Sequence, residues 1–494
     1  MAYAARPAEL TRRNRARWPL TRRQSSVGLS LCWASSPITN ELSVDQGSTL
    51  SVTKPPNPDL EATERARHLA PVPSPSVRRP SQRAAPRFRP ESWRSPLRGP
   101  WLTSFLGTLL VPAIAVIALT GFIGHWAWYP DVQGNGTFGP SLFHFPASWP
   151  SWSYAATQGT HVTLGLMVLP LVLAKLWSVM PKLFQRPVVR NVAAALERVS
   201  LLALVASVLM EFATGVLIID NYPSSLNLAT IHYYGAWVFG ALFVLHALIK
   251  IPVVRRAYRE RGLLKPLMQG TAQTKPEPPD GGGLAPTNPA AATISRRGLL
   301  AMVGGASLAI FAVQAGESIG GPFRRLALLA PRGRVYGTGP NDFPVTHTAA
   351  SAEITAAMTG ADWRLTVVGA RTISLSRQQL LAMPQSMRTL TITCTDGWST
   401  TQHWTGVRLA ELARLVHAPG GAILGAISLE KSGQVNAQSR FPASLYTDDR
   451  SLLALRVNGV DLSLDHGYPA RVVVPNVPGT LNTKWVSELR FEAA

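Results

Sequence analysis

The chain has 494 residues and is only 15% charged, whereas a typical soluble protein is about 25% charged. This length suggests roughly three domains, and two cysteines exclude a disulfide framework. The formal net charge of +21 would suit nucleic acid only if the basic residues clustered on one folded face. They lie instead in tails and loops that flank apolar segments, which is the membrane pattern. We therefore expect no nucleic-acid partner.

Residues 1–99 form the first predicted segment. Arg, Pro and Ser dominate it, and no apolar periodicity persists, which predicts a disordered N-terminal tail. No apolar run follows the early arginines, so the segment is not a secretory signal peptide. An alternative is that translation starts further downstream and that part of this tail is never made.

Four long apolar runs predict a four-helix transmembrane bundle over 100–256. Each is close to the roughly 20 residues needed to cross the hydrocarbon core. The first and third connecting loops lack Lys and Arg, whereas the other loops are rich in them and should stay in the cytoplasm. We therefore expect a multi-pass protein of the cell membrane, in contact with lipid, with a cytoplasmic N-terminus. The four runs are Trp101–Ile123, Thr157–Val179, Leu201–Ile219 and Ala229–Ile249.

A linker and a fifth apolar run follow the bundle. Residues 257–294 are predicted to be a cytoplasmic linker, whose Pro, Gly and Ala content indicates flexibility. Residues 295–316 predict a fifth transmembrane helix that delivers the rest of the chain to the extracytoplasmic side. Its start, Ser295-Arg296-Arg297-Gly298-Leu299-Leu300, resembles a twin-arginine export signal. The alternatives are ordinary cytoplasmic-side arginines, and a buried helix of a soluble domain.

Residues 330–494 predict an α+β, mainly β, domain. Short strand-like segments alternate with turn signals such as Asn458-Gly459 and Pro478-Gly479. Two short helical patterns, Ser376–Ala382 and Leu409–Val416, lie between the strands. The predicted strands are Arg364–Val368, Leu390–Cys394, Ile427–Lys431, Leu452–Val457 and Arg471–Pro475.

The sharpest motif in this domain surrounds Cys394. A strand-like run ends at the cysteine, Thr-Asp-Gly397-Trp398-Ser399 follows, and Trp404-Thr-Gly-Val-Arg-Leu409 comes next. A lone buried cysteine is usually an inert small hydrophobe. A cysteine at a strand end beside a glycine turn is better placed to present a thiolate to a soft metal.

This stretch resembles the oxidoreductase molybdopterin-binding domain of the sulfite oxidase type. Three later segments carry the same resemblance: 457–462, the His466-Gly-Tyr-Pro-Ala-Arg471 run that continues to Pro475, and Gly479-Thr-Leu-Asn-Thr-Lys484-Trp-Val486. The implied fold class is multi-domain, an all-α transmembrane helical bundle plus an α+β (mainly β) molybdopterin-binding domain.

The resemblance implies roles for Cys394, Arg471, Lys484 and Asn341, and the position of His403 directly before Trp404 makes it a further candidate. Cys394 corresponds to the cysteine that binds molybdenum, and it is the catalytic candidate. Arg471 and Lys484 correspond to basic positions near the pterin and its phosphate, an anion that suits both side chains. Asn341 and His403 are further cofactor-binding candidates. The alternatives are solvated cations at 471 and 484 and ordinary turn residues at 341 and 403.

The implied chemistry is two-electron oxygen-atom transfer by an enzyme that carries Mo-molybdopterin. The substrate would be a small sulfur oxyanion or a sulfoxide-like molecule. We expect neither a following dimerisation domain nor an attached soluble haem domain, and only Arg388 and Arg440 are candidate substrate cations by chemistry. Two alternatives remain: a reductase of oxidised sulfur groups, and a cofactor-free, membrane-anchored binding domain.

Histidines within the apolar runs suggest a second redox group. His161 and His232 are predicted to lie at similar depth on the second and fourth runs, and paired imidazoles can hold a b-type haem. The region resembles four-helix, cytochrome b-like membrane subunits. His246 lies deeper and has no predicted partner. Electrons would reach the membrane through this haem, a quinone or a redox partner protein. The alternative is that these histidines cap helices or bond carbonyls.

Overall fold

The structure is a computed structural model. It describes residues 93–133, 141–146, 148–184, 192–222, 226–280, 283–431 and 437–493. Residues 1–92, which make up most of the tail predicted to be disordered, lie outside the described residues.

The N-terminal half of the described chain is helical. Five helical segments are long and apolar enough to cross a membrane, judged by length and composition alone. The second of them is divided into two helices at Val168, because Pro170 has no N–H to continue the helical bonding. The helices are α1 Pro100–Trp126, α2 Pro130–Gln133, α3 Ser153–Met167, α4 Leu169–Leu183, α5 Val192–Ile219, α6 Leu228–Arg261 and α7 Arg296–Ile319.

The predicted linker is more ordered than its composition indicated. Helix α6 continues to Arg261 and ends at Gly262, whose positive φ of 76° suits glycine. The carboxylate of Glu277 accepts a 3.0 Å bond from the Trp101 backbone N–H, and the Ala290 N–H donates to the Arg94 carbonyl at 2.8 Å. Tertiary bonds of this kind override the flexibility expected from Pro and Gly.

Arg296, the first arginine of the twin-arginine motif, is fully buried at this end of the helices. Its guanidinium donates to the carbonyls of Pro96 at 3.1 Å and Lys275 at 3.0 Å. Arg297, in contrast, is exposed. Arg296 therefore joins helix α7 to the linker and to the segment before α1.

The C-terminal region contains two five-stranded sheets. One has the order β2-β1-β10-β5-β6, in which only the β1–β10 pair is parallel. The other has the order β3-β4-β7-β8, with β9 also paired to β7. The strands are β1 Arg364–Val368, β2 Thr372–Ser376, β3 Ser386–Thr393, β4 Ser399–Arg408, β5 Ile423–Ser428, β6 Gln438–Phe441, β7 Leu452–Val457, β8 Val460–Asp461, β9 Arg471–Val473 and β10 Val486–Glu492.

Short helices and apolar side chains complete the domain. Helices α8 Arg377–Ala382, α9 Leu409–Leu415 and α10 Ala443–Tyr446 connect strands. The main core combines side chains of both sheets, and Tyr129, from the segment after α1, packs into it. The arrangement agrees with the predicted mainly β domain.

The largest difference between a predicted and an observed strand is at β5. We expected a strand at 427–431, whereas β5 spans Ile423–Ser428. After β5 the chain bonds outside the ladder, since the Leu429 N–H donates to the Trp485 carbonyl at 2.8 Å. Gly425 within β5 weakened the sequence signal, because glycine is disfavoured in strands.

Candidate active site

Cys394 lies directly after β3, at the start of a tight turn that leads into β4. Its backbone N–H bonds the Trp398 carbonyl at 2.9 Å, and its carbonyl accepts from the Gly397 N–H at 3.2 Å. Gly397 has a φ of +108°, a conformation that L side chains rarely adopt. The glycine turn after the strand therefore fixes the position of the cysteine, as the sequence indicated.

The Cys394 thiol lies in a polar, buried setting. Its Sγ atom is 3.4 Å from the Thr346 hydroxyl, which donates to Asp396 at 3.2 Å and accepts from the Trp398 indole at 2.9 Å. Arg332 donates to the same Asp396 carboxylate at 3.2 Å. Burial, followed by the nearby Asp396 charge, raises the pKa of the thiol to about 12. A metal cation would reverse this shift, because a coordinating thiol is deprotonated.

Cys394 lines a cavity of about 1880 Å³. One part of the wall comes from the C-terminal domain, including His347, Arg471 and Lys484. The other part comes from the apolar helices and includes His161 and His232. One continuous chamber thus brings together the predicted molybdenum ligand, both predicted phosphate-binding cations and both predicted haem ligands.

Neither of the two cations in this chamber has a carboxylate partner in the described part of the chain. Arg471 donates only to the carbonyls of His466 at 3.1 Å and Asn482 at 3.2 Å, and its Nε atom has no partner. Lys484 donates to the carbonyls of His347 and Asp465 at 2.5 and 2.7 Å. Burial lowers the pKa of Arg471 to about 9 and that of Lys484 to about 7.

Other polar atoms of the wall also lack partners among the described residues. They include Thr480 Oγ1, Asn482 Nδ2 and both carboxylate oxygens of Glu430. Glu430 lies 3.1 Å from His347 Nε2, without a well-aligned hydrogen bond. Buried polar groups are normally satisfied. Two unpaired cations with donors and acceptors around them fit a ligand that combines an anionic phosphate with a polar heterocycle, as a molybdopterin does.

No group of three or more His, Cys, Asp or Glu side chains that could hold a metal ion occurs in the described part of the chain. A metal at Cys394 would therefore need ligands beyond those that the described residues supply. The dithiolene sulfurs implied by the family resemblance would meet that need.

Two of the apolar helices contact the Cys394 turn. From α3, Gln158 donates to the Thr395 carbonyl at 2.8 Å. Val162 of α3 packs against Gly397, since a Cβ atom at position 397 would lie 3.1 Å from Val162 Cγ1. From α7, Ser318 donates to the Gly397 carbonyl at 2.7 Å. The Ser399 hydroxyl donates to the Ser318 carbonyl. The turn is therefore held by its own sheet and by the helices beneath it.

His161 and His232 face each other with ring centroids 6.2 Å apart and an interplanar angle of 85°. Two imidazoles bound to opposite sides of one metal ion, each through a bond of about 2 Å, would have ring centroids about 6 Å apart. The observed distance between the two centroids is close to this value. Gly121 of α1 leaves room for the His161 ring, because a Cβ at Gly121 would lie 2.7 Å from His161 Cε1.

The second nitrogen of each ring is already engaged. His161 Nδ1 lies 2.9 Å from the Ile117 carbonyl, which can only accept, so Nδ1 carries the proton. His232 Nδ1 lies 2.9 Å from the Thr214 hydroxyl and 3.2 Å from Glu211. This pattern is typical of metal-ligating histidines, which donate one N–H to an acceptor and coordinate through the other nitrogen. The contact between His161 and the Ile117 carbonyl is compatible with both expectations for these histidines, a bond to a backbone carbonyl and a metal ligand whose other nitrogen stays available.

The remaining candidates lie away from the chamber wall. The Asn341 amide donates to the Asp461 carbonyl at 3.0 Å and accepts from the Ser463 N–H at 2.9 Å. The backbone carbonyl of Asn341 lies 2.8 Å from His466 Nε2. Asn341 therefore contacts a residue that lines the chamber, although it does not line the chamber itself. His403 is exposed on β4, with Nδ1 2.9 Å from the Thr389 hydroxyl. Cofactor binding by these two residues stays a prediction.

Several residues of the site were not predicted from the sequence. Asp396 had a local signal, since it lies within the cysteine motif. Gln158 precedes His161 by three positions and therefore shares its helix face. For Thr346, His347, Glu430 and Ser318 no local signal existed, because only the tertiary fold brings them to the chamber.

Comparisons with known proteins agree with this geometry. The family described as "Oxidoreductase molybdopterin binding domain" matches residues 351–494. "Uncharacterized oxidoreductase YuiH" of Bacillus subtilis is 31% identical over 155 residues, covering 30% of this chain and 73% of that protein. "Sulfite oxidase, mitochondrial" of Mus musculus is 29% identical over 160 residues, covering 26% of this chain and 29% of that protein. The chain thus spans under a third of the length of the mammalian sulfite oxidases that it matches.

A solved structure also matches. It is the sulfane dehydrogenase SoxCD from Paracoccus pantotrophus, with 27% identity and a TM-score of 0.25. The match covers 27% of this chain and 38% of that chain.

The lowered pKa of Lys484 gives a testable prediction. In cofactor-free protein we expect its amine to become reactive toward acetic anhydride as the pH rises through about 7, whereas an ordinary lysine needs a pH near 10. Inorganic phosphate should shift the transition to higher pH, because an anion stabilises the ammonium form. Mass spectrometry of the modified peptides across pH 6–10 measures both effects.

Lys431 is the internal control for this measurement, since it is exposed and paired with Glu353. Equal modification profiles for the two lysines would contradict the prediction.

Proposed function

The chain belongs to the oxidoreductase molybdopterin-binding domain family, and from this premise we propose that it is a membrane-anchored oxidoreductase that performs two-electron oxygen-atom transfer outside the cytoplasmic membrane. The observation that carries the proposal is the chamber, because Cys394, Arg471 and Lys484 all line it. Mo-molybdopterin, when bound, would supply the oxygen-atom and electron chemistry.

The protein residues would bind and orient this cofactor. The Cys394 sulfur would be the protein's ligand to molybdenum, and the strand end and glycine turn fix its position. Arg471 would bind a phosphate through the unpaired Nε edge of its guanidinium, and Lys484 would add a point charge. Thr480, Asn482 and Glu430 carry unpaired polar atoms that suit the edge of a pterin.

A cofactor-free binding domain is less consistent with these observations. Such a protein would keep the buried Arg471 and the half-buried Lys484 without counter-ions among the described residues, which is costly unless an anion binds. The unpaired atoms of the wall add to that cost. An enzyme with its anionic cofactor bound accounts for both the cations and the unpaired polar atoms of the wall.

We propose further that electrons pass between the site and the membrane through a b-type haem held by His161 and His232. The helix that carries His161 also donates to the Cys394 turn through Gln158. The two redox groups would thus share one chamber wall. A quinone in the same chamber is the alternative electron carrier.

The proposed topology has five membrane helices, a cytoplasmic N-terminus and an extracytoplasmic C-terminal domain. The five apolar helices and the distribution of Lys and Arg among the loops support it. In this orientation helix α7 starts in the cytoplasm at the twin-arginine motif and ends at the Cys394 turn.

Replacement of the metal ligand tests the proposal. In Cys394→Ser we expect turnover of sulfite or a sulfoxide to fall by about 10³-fold or more, because a hydroxyl is a poor ligand for a soft metal. Pterin content, measured by fluorescence after oxidation, should stay near that of the unmodified protein because the phosphate sites are intact. Elemental analysis should give about one Mo per chain before the change.

Cys32→Ser is the matched control, since that cysteine lies in the N-terminal tail, outside the described residues. Normal turnover by Cys394→Ser, or purified protein without molybdenum, would exclude the proposed reaction.

The haem proposal predicts a Soret absorbance in protein purified from cells supplied with haem. His161→Ala and His232→Ala should each abolish it, because each removes one of the two side chains that would hold the haem. His246→Ala is the control: it removes a histidine of the same helix as His232 that does not line the chamber. If the unmodified protein has no Soret band, or either ligand variant keeps an unchanged one, the haem assignment fails.

The export proposal predicts that Arg297→Lys retains the C-terminal domain in the cytoplasm, since a twin-arginine signal requires both arginines. Arg297 is the better position for this test, because Arg296 is also needed for the folded protein. Protease accessibility in spheroplasts locates the domain. Arg255→Lys, an exposed change at the end of α6, should leave export unchanged. Normal export of Arg297→Lys would overturn the twin-arginine assignment.

A further inference from the structure

The chain reverses its direction directly after helix α7. Gly320 and Gly321 have φ angles of 73° and 56°, which glycine adopts without strain. A 3₁₀ turn over Gly321–Leu326 follows, and the chain then runs back beside the end of α7. We call residues 320–330 the return segment.

Two contacts show how far the return segment runs back along α7. A Cβ atom at Gly316 would collide with the Phe323 carbonyl, so the two backbones touch at that level. The Leu329 N–H donates to the Val313 carbonyl at 3.2 Å. Val313 lies six residues before the last residue of α7, which corresponds to about 9 Å of helix.

These contacts place part of the return segment at membrane depth in the proposed topology. A helix that lies along the membrane normal crosses the ~30 Å hydrocarbon core in about 20 residues. A core that begins at Arg297 would therefore end near Glu317. Gly316 lies at this outer boundary, and Val313 lies about 6 Å inside it. The backbone at Leu329 is thus level with the hydrocarbon.

The return segment covers the side of α7 that faces away from α3. Ser318 marks the opposite side, because a Cβ atom at Gly159 of α3 would lie 2.7 Å from Ser318 Cβ. Gly316, which touches the return segment, precedes Ser318 by two positions, or about 200° around the helix. The return segment therefore lies on the outer side of α7, where lipid would surround it.

The return segment exposes large apolar side chains. Their exposed fractions are between 50% and 59%. Contiguous exposed apolar surface of this kind marks an interaction site. It continues the apolar surface of α7 itself, on which Leu308 and Ile319 are also exposed. The exposed residues of the return segment are Phe323, Leu326, Leu328 and Leu329.

The backbone of the return segment suits a setting without water. A polar backbone group in hydrocarbon must find its partner within the protein. The N–H groups of residues 327–330 all do so, at distances between 2.8 and 3.2 Å. Their acceptors are the carbonyls of Arg324, Leu326, Val313 and Ala327, in that order.

Exposed cations accompany the apolar surface. Arg325 is exposed, as is Arg334, which donates to the Arg325 carbonyl at 3.4 Å. Long cationic side chains at a membrane surface can bury their stems in apolar surroundings and keep the charge in the polar layer. An apolar surface with arginines beside it fits a phospholipid, which presents acyl chains next to a phosphate.

We propose that the return segment is a re-entrant element embedded in the outer leaflet of the membrane. Its four exposed apolar side chains lie among the acyl chains, and Arg325 and Arg334 lie at the level of the phosphates. This inference adds a lipid-binding element to the five membrane helices and rests on the proposed topology. It also connects the bilayer to the site, because Arg332, two residues after the segment, donates to Asp396.

Photolabelling of the unmodified full chain tests the inference. The protein is placed in nanodiscs whose phospholipid carries a diazirine in its acyl chain, and carbene adducts are located on tryptic peptides by mass spectrometry. We expect adducts on peptide 326–332, which contains three of the four exposed apolar side chains of the return segment. Peptide 298–324, which covers most of α7, is the positive control.

Peptide 378–388 is the negative control. It contains Met387 of β3, which is 64% exposed but lies seven positions before Cys394, about 23 Å along a strand from the turn that contacts the helices. Adducts should be at least about tenfold more frequent on 326–332 than on this peptide, because acyl chains contact only surfaces within the membrane.

A charge introduced into the return segment tests the cause. Leu328→Asp should lower the labelling of peptide 326–332 at least about fivefold, because a carboxylate is costly in hydrocarbon. Labelling of 298–324 should persist and show that α7 still spans the membrane. Met387→Asp, the same kind of change on an exposed apolar residue of the C-terminal domain, should leave the pattern unchanged.

The outcomes separate the two levels of proposal. An unlabelled peptide 298–324 would overturn the proposed topology itself. If 298–324 is labelled but 326–332 carries no more adducts than 378–388, only the inference about the return segment is overturned, and the segment faces water or another protein. Unchanged labelling of 326–332 in Leu328→Asp would also overturn it.

Discussion

The attachment of the Cys394 turn to the helices beneath it is the interaction on which the site depends. Two backbone hydrogen bonds, from the Cys394 N–H to the Trp398 carbonyl and from the Gly397 N–H to the Cys394 carbonyl, close this turn, and Gln158 and Ser318 bind two further carbonyls from the helices. A reacting metal ligand must be held within about 0.5 Å of its productive position. The α3 and α7 helices therefore contribute to the geometry of the candidate metal site as well as to its attachment.

Charge is distributed unevenly along the chamber, and this asymmetry organises its chemistry. Arg471 and Lys484, which have no carboxylate partner among the described residues, lie at the end formed by the C-terminal domain, while largely apolar helices that carry His125, His161, His232 and Glu211 form the other end. An anionic cofactor is stabilised at the first end, where low polarity strengthens each electrostatic contact. The proposed electron carrier would lie at the second end. Cys394 lies between these two environments.

The sequence predicted the parts of the site whose signals are local. Cys394 is marked by its glycine turn, Arg471 and Lys484 by neighbouring motifs, and the helical histidines by their depth in apolar runs. Ser318, Glu430 and His347 were not predictable, because their roles arise from docking between distant segments. The linker was expected to be flexible from composition, yet Arg296 and its neighbours are bonded, since tertiary contacts override propensity.

The role of Ser318 has a practical consequence for attempts to produce the catalytic region as a soluble fragment. A fragment that begins after Ile319 would keep both sheets and the cations proposed to bind the pterin, but it would lose the hydroxyl that donates to the Gly397 carbonyl. The same cut also removes Gln158 and exposes the floor of the chamber to water. Such a fragment could fold and bind its cofactor while reporting redox properties that differ from those of the intact protein.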